Sequence, residues 1–104
     1  MEALEEKKGE DILLLDIHEI APFADFFVLC SGTSDRMIDA LVQGVLESVK
    51  EKTGRQGRVE GTSRSGWVLV DFDDVVVHVF APEVRDYYRL EELWAEGKVL
   101  LHLQ

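Results

Sequence analysis

The chain has 104 residues, a formal net charge of −10, 46% hydrophobic residues and a single cysteine, Cys30. This length fits one domain, spanning 1–104, and no apolar run approaches the ~20 residues of a membrane span. A lone cysteine excludes an internal disulfide framework, and the acidity disfavours general nucleic-acid binding, which requires clustered Lys and Arg. The negative charge either fits a basic protein partner or serves solubility alone.

Two local features predict where the protein resides. Residues 1–6 are acidic and resemble neither a secretory signal nor a transit peptide. Cys30 lies inside an apolar stretch, as expected of a buried, reduced thiol rather than a reactive one. Together these features predict a cytoplasmic protein that makes no membrane contact.

Apolar spacing and turn residues predict alternating helices and strands. Ser34 is placed to cap a helix at its N-terminus, and Gly54 is placed to end it. In chain order we expect a helix over 2–8, strands over 12–17 and 26–30, a helix over 36–52, a short strand over 57–60, strands over 66–72 and 75–80, a helix over 82–94 and a strand over 99–103. This order predicts an α/β domain with a mixed sheet, because a hairpin pairs antiparallel whereas a helical crossover permits a parallel pair.

The predicted hairpin has two different faces. With Asp73-Asp74 as a two-residue loop, one face is apolar and packs beneath the helix over 36–52; it comprises Val68, Val70, Phe72, Val75, Val77 and Val79. The opposite face, called here the mixed face, pairs Trp67 with Phe80, Leu69 with His78 and Asp71 with Val76. Either this face binds a partner, or another helix covers it and His78 is a hydrogen-bonded core residue.

Enzymatic motifs are missing from the sequence. There is no Gly-x-Ser-x-Gly elbow, and His18, His78 and His102 are too isolated to form a close ligand pair. The turn at Gly32 lacks the lysine of a phosphate loop, so Thr33-Ser34 is more simply explained as a helix cap than as an anion site. These observations predict no catalytic residue and no cofactor.

The acidic run from Asp71 to Asp74 also requires a test for magnesium. Nucleotidyltransferases hold the metal with paired carboxylates near a Gly-Ser turn. Here the Gly32 turn is followed by Asp35 but by no Asp-x-Asp strand. Asp73 and Asp74 are therefore better explained as the hairpin turn than as metal ligands.

Several short motifs follow one another between about Lys8 and Trp94. They are Asp11-Ile12 before Leu15-Asp16, then Ala24-Asp25-Phe26-Phe27-Val28-Leu29-Cys30-Ser31-Gly32-Thr33-Ser34-Asp35-Arg36, Val59-Glu60-Gly61, Trp67-Val68-Leu69-Val70-Asp71, Asp74-Val75-Val76-Val77-His78-Val79-Phe80, Pro82-Glu83-Val84-Arg85 and Tyr88-x-Leu90-Glu91-x-Leu93-Trp94. In order and spacing they resemble the ribosomal silencing factor family, also called Iojap-like proteins. No motif of that family is recognised in the tail, 95–104.

The resemblance implies a nucleotidyltransferase-like α/β fold without catalytic acids, and a protein that is not an enzyme. Family members bind the large ribosomal subunit through its basic fourteenth protein, at the subunit interface, with little direct contact to nucleic acid. They block joining of the small subunit when nutrients are short. The alternatives are a large-subunit assembly factor, a nucleotidyltransferase-like enzyme, and a homodimer that acts as an adaptor without the ribosome.

The resemblance also suggests a partner-binding surface on and beside the mixed face. Trp67 and Leu69 would supply apolar anchors, and His78 would exchange a hydrogen bond with the partner. Asp71 and Glu83 would meet Lys or Arg. The complete set of partner-binding candidates is Trp67, Leu69, Asp71, His78, Glu83, Arg85 and Tyr88.

Overall fold

The computed structural model describes residues 4, 9–18, 24–84 and 98–103, the last range as backbone only. Of the predicted helix over 2–8, Leu4 is described and is helical. Of the predicted helix over 82–94, the described residues 82–84 are helical and the remainder lies outside the described residues. No helix in these ranges is both long and apolar enough to cross a membrane.

The fold is a six-stranded mixed sheet. Its elements are β1 Glu10–Asp16, β2 Phe26–Ser31, α1 Asp35–Thr53, β3 Arg58–Thr62, a 3₁₀ turn Ser63–Ser65, β4 Trp67–Asp71, β5 Val75–Phe80 and β6 Lys98–Leu103. The strand order is β3-β4-β5-β2-β1-β6, with β2 parallel to β5 and the other neighbours antiparallel. The predicted mixed α/β class is confirmed, whereas its likeness to nucleotidyltransferases stays a prediction.

Local capping chemistry defines the ends of α1. The Ser34 hydroxyl accepts a hydrogen bond from the Met37 amide at 3.1 Å, and Asp35 places a negative charge in the first turn. At the other end Gly54 adopts a left-handed conformation, φ 76°, and its amide bonds the Lys50 carbonyl. Both predicted boundaries are confirmed, since the observed helix extends the predicted one by one residue at each end.

The apolar hairpin face forms the core with α1, as predicted. The cluster joins this face to the inner stripe of the helix and comprises Leu4, Ile12, Val28, Cys30, Ile38, Leu41, Val42, Val45, Val68, Val70, Phe72, Val77 and Val79. Leu41, Val70 and Val79 have no exposed surface. A fully buried side chain of this kind contributes roughly 1.5–3 kcal/mol, so this layer stabilises the fold substantially.

A second apolar cluster lies on the opposite side of the sheet. Its buried members are Leu13, Leu15, Ile17, Ala24, Phe27, Leu29, Val76 and Phe80, with Trp67, Leu69 and Val84 packed against them. Because adjacent residues of a strand point to opposite faces, each central strand supplies both clusters. The mixed face is therefore continuous with a buried layer at β2 and β5.

Candidate partner-docking site

The hairpin of β4 and β5 brings the central candidates together. Its observed pairs are Trp67 with Phe80, Leu69 with His78 and Asp71 with Val76, which confirms the predicted register. Asp73 adopts a positive φ of 73° in the two-residue loop, and the Phe72 amide bonds the Val75 carbonyl. Trp67, Leu69, Asp71 and His78 consequently share one face of the sheet.

His78 lies beneath this surface rather than on it. The residue is 5% exposed, and its ring stacks on Phe80 at an interplanar angle of 4° and meets Phe27 edge-on at 4.6 Å between centroids. Nδ1 accepts a hydrogen bond from Nε1 of Trp67 at 3.2 Å, so the neutral ring carries its proton on Nε2. The structure thus places His78 in the core, where it holds the indole of Trp67.

The buried ring is kept neutral by its surroundings. Burial lowers the pKa of His78 from 6.5 to about 4, because the apolar environment disfavours the charged imidazolium. Within the described part of the chain, Nε2 has no hydrogen-bond partner, and its surface is inaccessible to water. A buried donor without an acceptor costs about 1–3 kcal/mol.

Trp67 is a half-buried aromatic residue of the mixed face. Its ring lies 5.1 Å from that of Phe80 and 6.0 Å from that of His78, measured between centroids. Packing on one side and the hydrogen bond to His78 fix the orientation of the indole. A half-buried aromatic side chain held in one orientation is suited to partner binding, because little conformational entropy is lost on contact.

The carboxylates of this hairpin are held by arginines. Arg58 lies 3.2 Å from Asp71 and 3.1 Å from Asp73, and Arg55 lies 2.9 Å from Asp74. Asp71 also accepts a hydrogen bond from the Asp73 amide, which stabilises the turn. No group of three metal-ligating side chains occurs within the described ranges. These contacts explain the acidic run as turn and ion-pair chemistry, and the sequence analysis did not anticipate the two arginines that pair with it.

The remaining candidates are placed only in part. Glu83 is exposed at the start of the helical residues 82–84, and neighbouring Val84 packs against the cluster that includes Trp67. Arg85 and Tyr88 lie outside the described residues. The structure therefore brings Trp67, Leu69 and His78 into one group, with Asp71 on the same strand.

These features define a small acidic α/β domain whose mixed face is built on a β-hairpin. A family model described as "Ribosomal silencing factor during starvation" matches residues 1–103. The chain belongs to the ribosomal silencing factor family. Because the match includes almost the whole tail, the absence of a recognisable motif over 95–104 does not mark a departure from the family.

Individual relatives agree with this placement. A Bacillus subtilis ribosomal silencing factor is 42% identical over 95 residues, covering 91% of this chain and 80% of its own length. A mouse protein named "Mitochondrial assembly of ribosomal large subunit protein 1" is 33% identical over 94 residues, covering 88% of this chain and 41% of its own length. A crystal structure of a Chromobacterium violaceum protein superposes with a TM-score of 0.85 at 43% identity, covering 90% of this chain and 78% of that one.

Proposed function

We propose that the protein binds the large ribosomal subunit through its basic fourteenth protein, at the subunit interface. Bound there, it blocks joining of the small subunit and represses translation in the cytoplasm when nutrients are limiting. The observation that carries this proposal is the family match over residues 1–103. The names of the curated relatives describe regulation rather than catalysis, which supports a role without enzymatic chemistry.

The mixed face is the proposed docking surface. Trp67 and Leu69 are its apolar anchors, flanked by the carboxylates of Asp71 and Glu83, with Arg85 and Tyr88 as further contacts. His78 contributes from below by orienting the indole, since its ring is buried. An exposed ion pair is worth about 0–1 kcal/mol, so a basic partner can displace Arg58 from Asp71 at little cost.

Electrostatic attraction supports a basic target. The chain carries a net charge of −10, and opposite charge accelerates encounter and selects among partners. Salt screens such attraction between exposed charges over about 10 Å at 0.1 M ionic strength. Association with the large subunit should accordingly slow as salt is added, whereas the apolar anchors keep the complex together once it has formed.

Co-sedimentation with separated ribosomal subunits tests the function directly. The purified protein should pellet with large subunits and not with small ones. Added to a mixture of both, it should reduce the fraction of joined ribosomes. A protein that stays in the supernatant with large subunits, or that binds them without affecting joining, would refute the proposed repression by subunit blocking.

Substitution of Trp67 tests the docking surface. Trp67→Ala removes the central anchor and should weaken large-subunit binding about 30-fold, the effect of losing about 2 kcal/mol. Gln43→Ala, at an exposed position of α1 on the other side of the sheet, is the matched control and should bind like the wild type. Equal affinities of two folded variants would place docking elsewhere. His78→Ala is less informative, because it also opens a cavity in the core.

A role in large-subunit assembly is the second candidate, and the name of the mouse relative favours it. Such a factor binds the same subunit, so co-sedimentation does not separate the two roles. Depletion does: an assembly factor leaves immature large subunits, whereas a repressor leaves mature subunits and raises translation during starvation. Sedimentation profiles of depleted and starved cells provide this measurement.

A further inference from the structure

A cavity of about 170 Å³ lies between the C-terminal half of α1 and the sheet. Its lining residues are mostly aliphatic, and they are Leu4, Val28, Val45, Val49, Thr53, Arg55, Phe72, Val75 and Val77. Among them Arg55 alone carries a charge. An apolar cavity of about 150 Å³ is large enough to bind benzene. The cavity therefore has room for a compact hydrocarbon group of about six carbon atoms.

The cavity results from a change in side-chain size along α1. The first half of the helix packs Ile38 and Leu41 against the sheet. Val45, Val49 and Thr53 follow Leu41 at intervals of one turn, and they line the cavity. These three side chains are smaller than leucine or isoleucine, and valines also face them from β2 and β5. Because the larger residues hold the helix away from the sheet, space remains where the small residues meet.

Burial divides the lining into a closed floor and an open mouth. Val28, Val45 and Val77 are each 5% exposed, so the floor of the cavity is apolar and shielded from water. At the mouth, the side chain of Val75 is half-buried and that of Arg55 is exposed. A small molecule can consequently reach the floor past Arg55 without separation of the helix from the sheet.

Arg55 is held in a fixed position at this mouth. Its Nη2 donates a hydrogen bond to the Phe72 carbonyl at 2.8 Å, and its Nη1 lies 2.9 Å from a carboxylate oxygen of Asp74. The first contact attaches the guanidinium to the backbone, whereas the exposed pair with Asp74 contributes little to stability. A guanidinium has five N–H donors in a planar fork, so it can bind a further carboxylate beside Asp74 or in its place.

The charges at this end of α1 favour an anion, although the whole chain is acidic. Residues 50–55 contain Lys50, Lys52 and Arg55 and a single carboxylate, that of Glu51. A ligand that complements both the valine floor and this positive mouth is apolar at one end and negatively charged at the other.

We propose that the cavity binds a small apolar carboxylate. Its hydrocarbon part, of about five or six carbon atoms, occupies the floor, and its carboxylate pairs with Arg55. The cavity lies on the α1 side of the sheet, opposite the mixed face, so this ligand does not compete with a partner bound at that face. The inference concerns the isolated protein and does not depend on ribosome binding.

Titration of the methyl-labelled protein with three related probes, followed by NMR, tests the site. Isocaproate has the proposed hydrocarbon and carboxylate, isohexyl alcohol has the same hydrocarbon without the charge, and L-leucine adds an ammonium group that Asp74 could accept. The methyl signals of Val28, Val45 and Val77 should shift saturably and show nuclear Overhauser effects to the probe. Isocaproate should bind about tenfold more tightly than the alcohol, because hydrogen bonds to a charged group are strong. If leucine binds more tightly than isocaproate, the site is assigned to amino acids, and otherwise to simple carboxylic acids.

Two variants with matched controls separate the charge from the cavity. Arg55→Gln should weaken isocaproate binding about tenfold and leave the affinity for the alcohol unchanged, whereas Arg36→Gln, at the opposite end of α1, should behave as the wild type. Val49→Phe places a ring in the cavity and should abolish binding of all three probes. Gln43→Phe adds the same ring at an exposed position of α1 and should retain binding.

Three results would overturn the proposal. They are wild-type methyl signals that do not shift saturably with isocaproate up to about 10 mM, an alcohol that binds as tightly as isocaproate, and a folded Arg55→Gln variant that keeps the preference for the carboxylate. Circular dichroism first establishes the fold of each variant. The first two results come from the wild type, so they decide the matter even if Val49→Phe does not fold.

Discussion

His78 is a proton-binding residue that the folded protein keeps neutral. Its pKa is about 4 in the fold and returns to about 6.5 in the unfolded chain. Between these two values the unfolded state binds more protons than the folded state. Lowering the pH through this window therefore stabilises the unfolded state, and the folded protein loses stability progressively from about pH 6.5 to about pH 4.

The magnitude follows from the two pKa values. When His78 is protonated in the unfolded chain but neutral in the fold, the free energy of unfolding falls by up to about 3 kcal/mol. The loss is about 1 kcal/mol at about pH 5.5 and about 2–3 kcal/mol at about pH 4.5. Small domains have total stabilities of about 5–15 kcal/mol, so one histidine accounts for a measurable part of the acid sensitivity.

Urea denaturation followed by circular dichroism at several pH values measures this effect. His78→Leu is the matched variant, since it removes the titrating ring and its buried Nε2 donor and leaves the other ionisable groups in place. Relative to the wild type, the free energy of unfolding of the variant should rise by about 2–3 kcal/mol between about pH 7.5 and about pH 4.5. Parallel pH profiles of the two proteins would show that His78 is not neutral and buried as described.

The N-terminal cap of α1 and two glycines with positive φ give further predictions. Ser34→Ala removes the cap of α1 and should lower the free energy of unfolding by about 1 kcal/mol, whereas Gln43→Ala on the same helix should change it by less than about 0.5 kcal/mol; equal effects would exclude the capping role. Gly54→Ala, where an added methyl meets nothing within 4 Å, should cost about 1 kcal/mol for the left-handed backbone. Gly61→Ala should cost more, because its methyl would lie 2.4 Å from the Trp67 carbonyl oxygen; a smaller cost in urea titrations would contradict this geometry.

Elements specified by nearby residues could be predicted from the sequence. The valines of the hairpin alternate around Asp73-Asp74, so the loop length alone determined which residues pair. Ser34 and Gly54 predicted the ends of α1, because a capping residue acts on backbone groups within one turn of its own position. In these segments local chemistry and the final fold agree.

Features created by distant segments could not be predicted in this way. His78 is buried because parallel pairing places Leu29 and Phe27 of β2 beside it, and no pattern within β5 specifies that neighbour. The sequence alone therefore did not determine whether the mixed face is covered by another helix or is available to a partner. Strand β3 extends beyond its predicted 57–60 to Thr62, because its extended backbone depends on pairing with β4 rather than on apolar periodicity.

The parallel junction between β2 and β5 has a consequence for how the chain folds. Two units of the sheet, β1–β2 and β3–β4–β5, each consist of antiparallel strands that are neighbours in the chain. The parallel pairing of β2 with β5, which begins at Phe26 and Val75, joins them. Strands β2 and β5 can pair only when β5 and the chain between them, from α1 to β4, have been synthesised. During synthesis, the apolar residues of β2 remain without one of their two strand neighbours until β5 has left the ribosome. The early chain is thus most prone to aggregation while the protein is still being translated.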